Sequence, residues 1–85
     1  MKTATLGGGA AWAIVSQWPT MDKDNGECNY EKRSLFIHPK LEGKKRLEIT
    51  IHEALHALYP DLTEAVVKRG AFDLARLLWR LGYGP

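Results

Sequence analysis

His52, Glu53 and His56 lie in the run I-T-I-H-E-A-L-H-A-L-Y, residues 49–59, among apolar neighbours. At about 100° per residue, helix positions four apart point within roughly 40° of each other, one turn apart. Two imidazoles stacked in this way can each give a nitrogen to one zinc ion at about 2.0–2.1 Å. Glu53 projects from the flank of the same face, where it can reach a water on the metal without binding the metal. Zinc lowers the pKa of such a water towards about 7, and a carboxylate beside it can take the proton and pass it to a leaving amine. The spacing H-E-x-x-H thus predicts metal-assisted hydrolysis of a peptide bond, with Glu53 as general base. The plainer reading is two surface histidines beside an ordinary helix glutamate. Against it, Leu47, Ile51, Leu55 and Leu58 give the helix a separate core-facing side, while Ile49 and Tyr59 partly cover the histidine side.

Catalytic zinc generally takes three protein ligands and keeps one position open. Six residues beyond His56 stands Leu62, not a third histidine. The candidates downstream are Asp61, Glu64 and Asp73, with His38 as a reserve upstream. Glu64 and Asp73 are nine residues apart, about 180° around a helix, so they face opposite ways. Glu64 edges the inward stripe of Val67, Ala71, Leu74, Ala75 and Leu78. Asp73 sits among Arg69, Arg76 and Arg80, where exposed ion pairs account for it. The short P-D-L-T link turns the second helix back towards His56, which favours Glu64 as the third ligand. Glu64 also fits a capping box with Asp61 as the cap, a role that needs no metal. His38, ahead of Pro39, reads as an exposed strand end.

These residues need elements to hold them. Residues 1–9 read as a loose end, because Gly7-Gly8-Gly9 offers nothing to pack. Trp12–Trp18 alternates as a strand that Pro19 stops, and D-K-D-N-G-E-C-N-Y (residues 22–30) reads as a turn around Asn25-Gly26. Arg33–His38 is a second strand, stopped by Pro39. A helix from Lys44 ends at Tyr59 before Pro60, and a second helix capped by Asp61 extends to about Leu81, before Gly82 and Gly84. The expected class is α+β: a short sheet or hairpin packed on the H-E-x-x-H helix and a C-terminal helix, in one domain over residues 1–85.

Composition narrows the remaining choices. An 85-residue chain has a thin core and gains disproportionately from a metal or a partner. Cys28 is the only cysteine, so no disulfide forms within the chain, and a reducing compartment is expected. The net charge of +2 is mild, and basic residues alternate with acidic ones, which argues for a solvated surface over a nucleic-acid footprint. No apolar run approaches the roughly 20 residues that span a bilayer, and glycines interrupt the apolar start, so a cytoplasmic protein is expected. Lys44-Lys45-Arg46 reads as solvated, and Trp79 as a packing anchor.

The run K-K-R-L-E-I-T-I-H-E-A-L-H-A-L-Y-P-D-L-T-E-A-V-V, followed by D-L-A-R-L-L-W-R-L-G-Y, resembles the small zincin-like metallopeptidase proteins of phage genomes. The strand S-L-F-I-H-P-K-L ahead of the helix fits the same pattern, and the resemblance covers roughly residues 25–84. It implies a minimal zincin-like fold, His52 and His56 as zinc ligands, Glu53 as catalytic base, and an acidic third ligand at Glu64. His38 departs from it, since an acidic residue is expected there. The implied partner is a peptide or protein substrate, such as a host protein, presented along an edge strand at Arg33–Ile37. A second subunit would help complete so small a cleft. The competing expectation is a catalytically silent zincin-like protein that binds or inhibits a host protein.

Overall fold

The computed structural model describes residues 2–16 and 25–83, in the order β1 (Lys2–Leu6), β2 (Ala10–Val15), β3 (Gly26–Asn29), β4 (Ser34–Ile37), α1 (Gly43–Leu58) and α2 (Glu64–Arg80). The fold class is α+β. The strands form one mixed sheet in the order β1-β2-β4-β3, with β1–β2 and β3–β4 antiparallel and β2–β4 parallel. None of the described helices is long and apolar enough to cross a membrane.

Residues 2–9 form a strand and a turn, where a loose end was expected. Lys2–Leu6 pairs with Ala10–Ile14 through a hairpin whose turn is the glycine triplet. Gly7, Gly8 and Gly9 all have positive φ, at 60°, 91° and 121°, a region that side chains disfavour. The triplet that offers nothing to pack is what lets the chain reverse. β2 matches the expected strand as far as Val15; its expected end at Trp18 lies outside the described residues.

A second correction concerns Gly26. It opens β3 instead of sitting in a turn, and the reversal falls at residues 30–33, where Arg33 takes a φ of 48°. β4 consequently lies between β2 and β3 and is no edge strand. Leu35, Phe36 and Ile37 are all buried, as expected for an interior strand.

Side chains alternate across a sheet, and one face meets the helices. Ile37, Leu41 and Ile49 form the core cluster there, with Ile14 packed against it. The sheet-facing side of α1 is therefore Ile49 and Glu53, its two buried residues. Leu47, Ile51, Leu55 and Leu58, expected to face the core, are half-buried, and Leu55 reaches Gly70 on α2. On α2, Val67, Ala71 and Ala75 are buried as expected, whereas Leu74 is 41% exposed. Tyr59 closes α1 through its N–H to the Leu55 carbonyl, and Thr63, not Asp61, caps α2, its hydroxyl accepting from the Val66 N–H at 3.3 Å. Glu64 is accordingly the first residue of α2.

Candidate metal centre

α1 and α2 run antiparallel, as the short link of residues 59–63 requires, so the first turn of α2 lies beside the last turns of α1. His52 and His56 project from α1 with ring centroids 5.0 Å apart and Nε2 atoms 3.2 Å apart. The Glu64 carboxylate reaches both, its Oε1 2.7 Å from His52 Nε2 and its Oε2 3.0 Å from His56 Nε2. The imidazoles are largely covered, at 15% and 18% exposure, while Glu64 is 68% exposed. An exposed carboxylate gains little from ion pairing alone. It nevertheless bridges two histidines on another helix, an arrangement that could hold a metal ion.

The donor set fits a divalent cation. One atom from each of His52, His56 and Glu64 lies within 4.8 Å of the others, and the group can hold a metal ion. Tetrahedral ligands at about 2.0–2.1 Å from zinc stand about 3.3 Å apart, close to the separation of the two Nε2 atoms. Of the other candidate ligands, Asp73 is turned away and pairs with Arg69 at 3.1 Å and Arg76 at 4.0 Å. His38 is buried instead of exposed, and its Nδ1 accepts the Lys40 N–H at 3.0 Å. It helps shape the bend out of β4 and takes no part in the cluster. Asp61 lies in the exposed link and neither caps α2 nor joins the group.

Glu53 reaches the same place from the sheet side. It is 7% exposed and lines, with His52, His56 and Glu64, a cavity of about 390 Å³ whose other wall is Gly26, Glu27, Cys28 and Tyr30. The absence of a side chain at Gly26 brings α1 this close to β3. A Cβ there would lie 2.8 Å from Ile49 Cγ2, 2.9 Å from the Phe36 carbonyl oxygen and 3.1 Å from Glu53 Cγ. Cys28, two residues on, shares that face. Burial, then the negative charge of Glu53, pushes its thiol up from 9.0 to about 11, although a hydrogen bond with Tyr30 acts in the opposite direction. The thiol thus stays protonated at neutral pH, a poor metal ligand and a poor nucleophile. Burial and the neighbouring Cys28 also raise the Tyr30 phenol.

Sequence reasoning missed the whole β3 wall. The segment around Asn25-Gly26, Cys28 included, reads as a turn. The residue 26 that breaks strand propensity is the one the helix needs to be bare. Gly26 followed by Cys28 at a spacing of two was the available signal, and it is faint.

The β3 edge has a defined hydrogen-bonding polarity. The His38 N–H donates to the Asn25 carbonyl at 2.8 Å, which makes Asn25–His38 a hydrogen-bonded pair. Alternation then assigns Glu27–Phe36 and Asn29–Ser34 the same way. The main-chain groups of Gly26 and Cys28 accordingly point away from β4, towards the open edge, and both residues line the cavity. Comparison of the chain with protein-family models, with curated proteins and with solved structures finds no match.

Proposed function

We propose that the chain is a zinc-dependent metallopeptidase that hydrolyses peptide bonds. One observation carries this reading: two imidazole nitrogens and a carboxylate from separate helices converge within 3.2 Å of one another, and a second, buried carboxylate lines the same cavity. His52, His56 and Glu64 would hold the ion, in keeping with the zincin-like resemblance. When bound, zinc supplies Lewis-acid polarisation and an acidified water. Glu53 is placed to accept a proton from water in the cavity and return it to a leaving amine. Gly26 and Cys28 offer main-chain donors and acceptors that can align an extended peptide as an added strand. β3 thus replaces β4 as the edge that receives substrate.

The burial of Glu53 against Gly26 favours a second reading, in which that carboxylate is structural and the chain binds a protein partner without cleaving it. One experiment separates the two. Zinc-loaded protein is incubated with a quenched-fluorescent peptide library, and bound zinc is measured by elemental analysis. Glu53→Gln should lower cleavage by at least about 100-fold while keeping one zinc per chain. Zinc without cleavage in the parent protein supports the binding reading, and no bound zinc rejects the peptidase.

A further inference from the structure

A second cleft, of about 350 Å³, opens on the seam between the helices. It is lined by Glu48 from α1 and by Ala65, Lys68, Arg69 and Phe72 from α2. It begins one turn from the metal-binding group, since Glu48 precedes His52 by four residues and Ala65 follows Glu64. Its chemistry differs from that of the first cavity. Ala65 and the Phe72 ring give it an apolar floor, and Phe72 remains 43% exposed although large and aromatic. Two cations already attend that ring, with Lys44 Nζ 5.8 Å and Arg76 Cζ 5.6 Å from its centroid.

The rim is positive. Three carboxylates lie near the cleft, and all are engaged: Glu48 with Lys45 at 3.7 Å, Asp73 with Arg69 at 3.1 Å and Arg76 at 4.0 Å, and Glu64 with His52 and His56. Against them stand Lys44, Lys45, Lys68, Arg69 and Arg76, and Lys68 makes no ion pair among the described residues. A neutral apolar guest would cover the floor but would desolvate ammonium and guanidinium groups without return. A small inorganic anion would engage the rim and leave the floor wet. A second copy of α2 would bring the same excess of cations.

We infer that the seam cleft binds an apolar carboxylate: a hydrophobic group seated on Ala65 and Phe72 with its carboxylate on Lys68 and the neighbouring guanidinium. This chemistry is found at the end of a polypeptide with a hydrophobic last residue, and in a small aromatic or branched acid. The site goes beyond the proposed peptidase activity and needs no metal.

The test is an NMR titration of the isotope-labelled protein, run without and with added zinc. The probes are N-acetyl-phenylalanine, its neutral amide, inorganic phosphate and a decapeptide ending in free phenylalanine. The acid should shift the Ala65 methyl and the Phe72 ring, and bind about tenfold tighter than the amide, the scale of one hydrogen bond to a charged group. Phe72→Ala should abolish the shifts and Lys68→Ala weaken them several-fold; both positions are exposed, and unchanged His52 and His56 resonances verify the fold. Tighter binding of the decapeptide than of the acid identifies a polypeptide end, and equal or weaker binding a small acid. The inference is overturned if acid and amide bind alike, if phosphate competes as strongly as the acid, or if shifts appear at His52 and His56 alone. Because the titration is repeated without zinc, its failure is distinguishable from failure of the metal reading.

Discussion

The Tyr30 hydroxyl donates a 2.7 Å hydrogen bond to the main-chain carbonyl of His56. This bond ties the turn after β3 to the end of α1 where a carbonyl lacks a helical partner, and Trp12 meets the Tyr30 ring edge-on at 6.3 Å. The β3 wall and the histidine helix are therefore fixed to each other. Tyr30→Phe should cost about 0.5–1.5 kcal/mol in urea unfolding, and Tyr30→Ala more, because it also removes the Trp12 contact. Equal losses would mean that the ring contributes nothing.

Glu64 and Asp73 give opposite expectations for metal. Glu64→Ala should weaken zinc binding by more than about tenfold in calorimetric titration, since even groups beyond the ligands cost about 10–100-fold. Asp73→Ala should leave it unchanged, because Asp73 only pairs with Arg69 and Arg76. The reverse order would remove Glu64 from the ligand set.

Gly26→Ala should destabilise the fold by about 1–3 kcal/mol, the range for forcing atoms into filled space. The Phe36 carbonyl is main chain and cannot turn aside, whereas Ile49 can be shortened. Ile49→Ala in the same chain should recover part of the loss, so the double variant should be less destabilised than the sum of the singles. Strict additivity would show that the two positions do not meet.

Cys28 provides a pH test. Its folded pKa of about 11 lies above the ordinary 9.0, so the neutral thiol is favoured by folding. The associated stability is complete below about pH 9 and is lost as pH rises through 11. Alkylation in the native protein should be slow at neutral pH and climb towards 11. Glu53→Gln should move that profile to lower pH, because the Glu53 charge is the second cause of the shift. An unmoved profile would place Glu53 outside the field of the thiol.

The caps of α2 discriminate between two neighbours. Thr63→Ala should cost about 1 kcal/mol by loss of the hydroxyl contact to Val66. Asp61→Ala, in the exposed link, should fall within about 0.5 kcal/mol of no effect. Thermal unfolding of both variants checks the order.

What was legible in the sequence follows from the range of the forces involved. The two helices, the strand at Ser34–Ile37 and the convergence of His52, His56 and Glu64 rest on local periodicity and a short link, and these signals lie within a few residues of each other. β1 and β3 pair with neighbouring strands through turns at residues 7–9 and 30–33, while the β2–β4 pairing and the Gly26 contact with Ile49 join distant segments; beside β1 and within β3, glycine concealed the strand. At Gly7–Gly9 it serves a turn, and at Gly26 it clears space for a helix. The capping residue was misplaced by two positions because Asp61 and Thr63 are both competent caps, and only the path of the link selects between them.

The histidine pair and Glu64 come from successive helices joined by five residues, so a cation seated among them would act as a buckle across the linked end of the helical hairpin. Its affinity then adds to the cohesion of a thinly filled interior, in proportion to the logarithm of its free concentration. Depletion of the ion should release the carboxyl-terminal helix first and leave the strands paired, which would make metal supply a control on the shape of this protein.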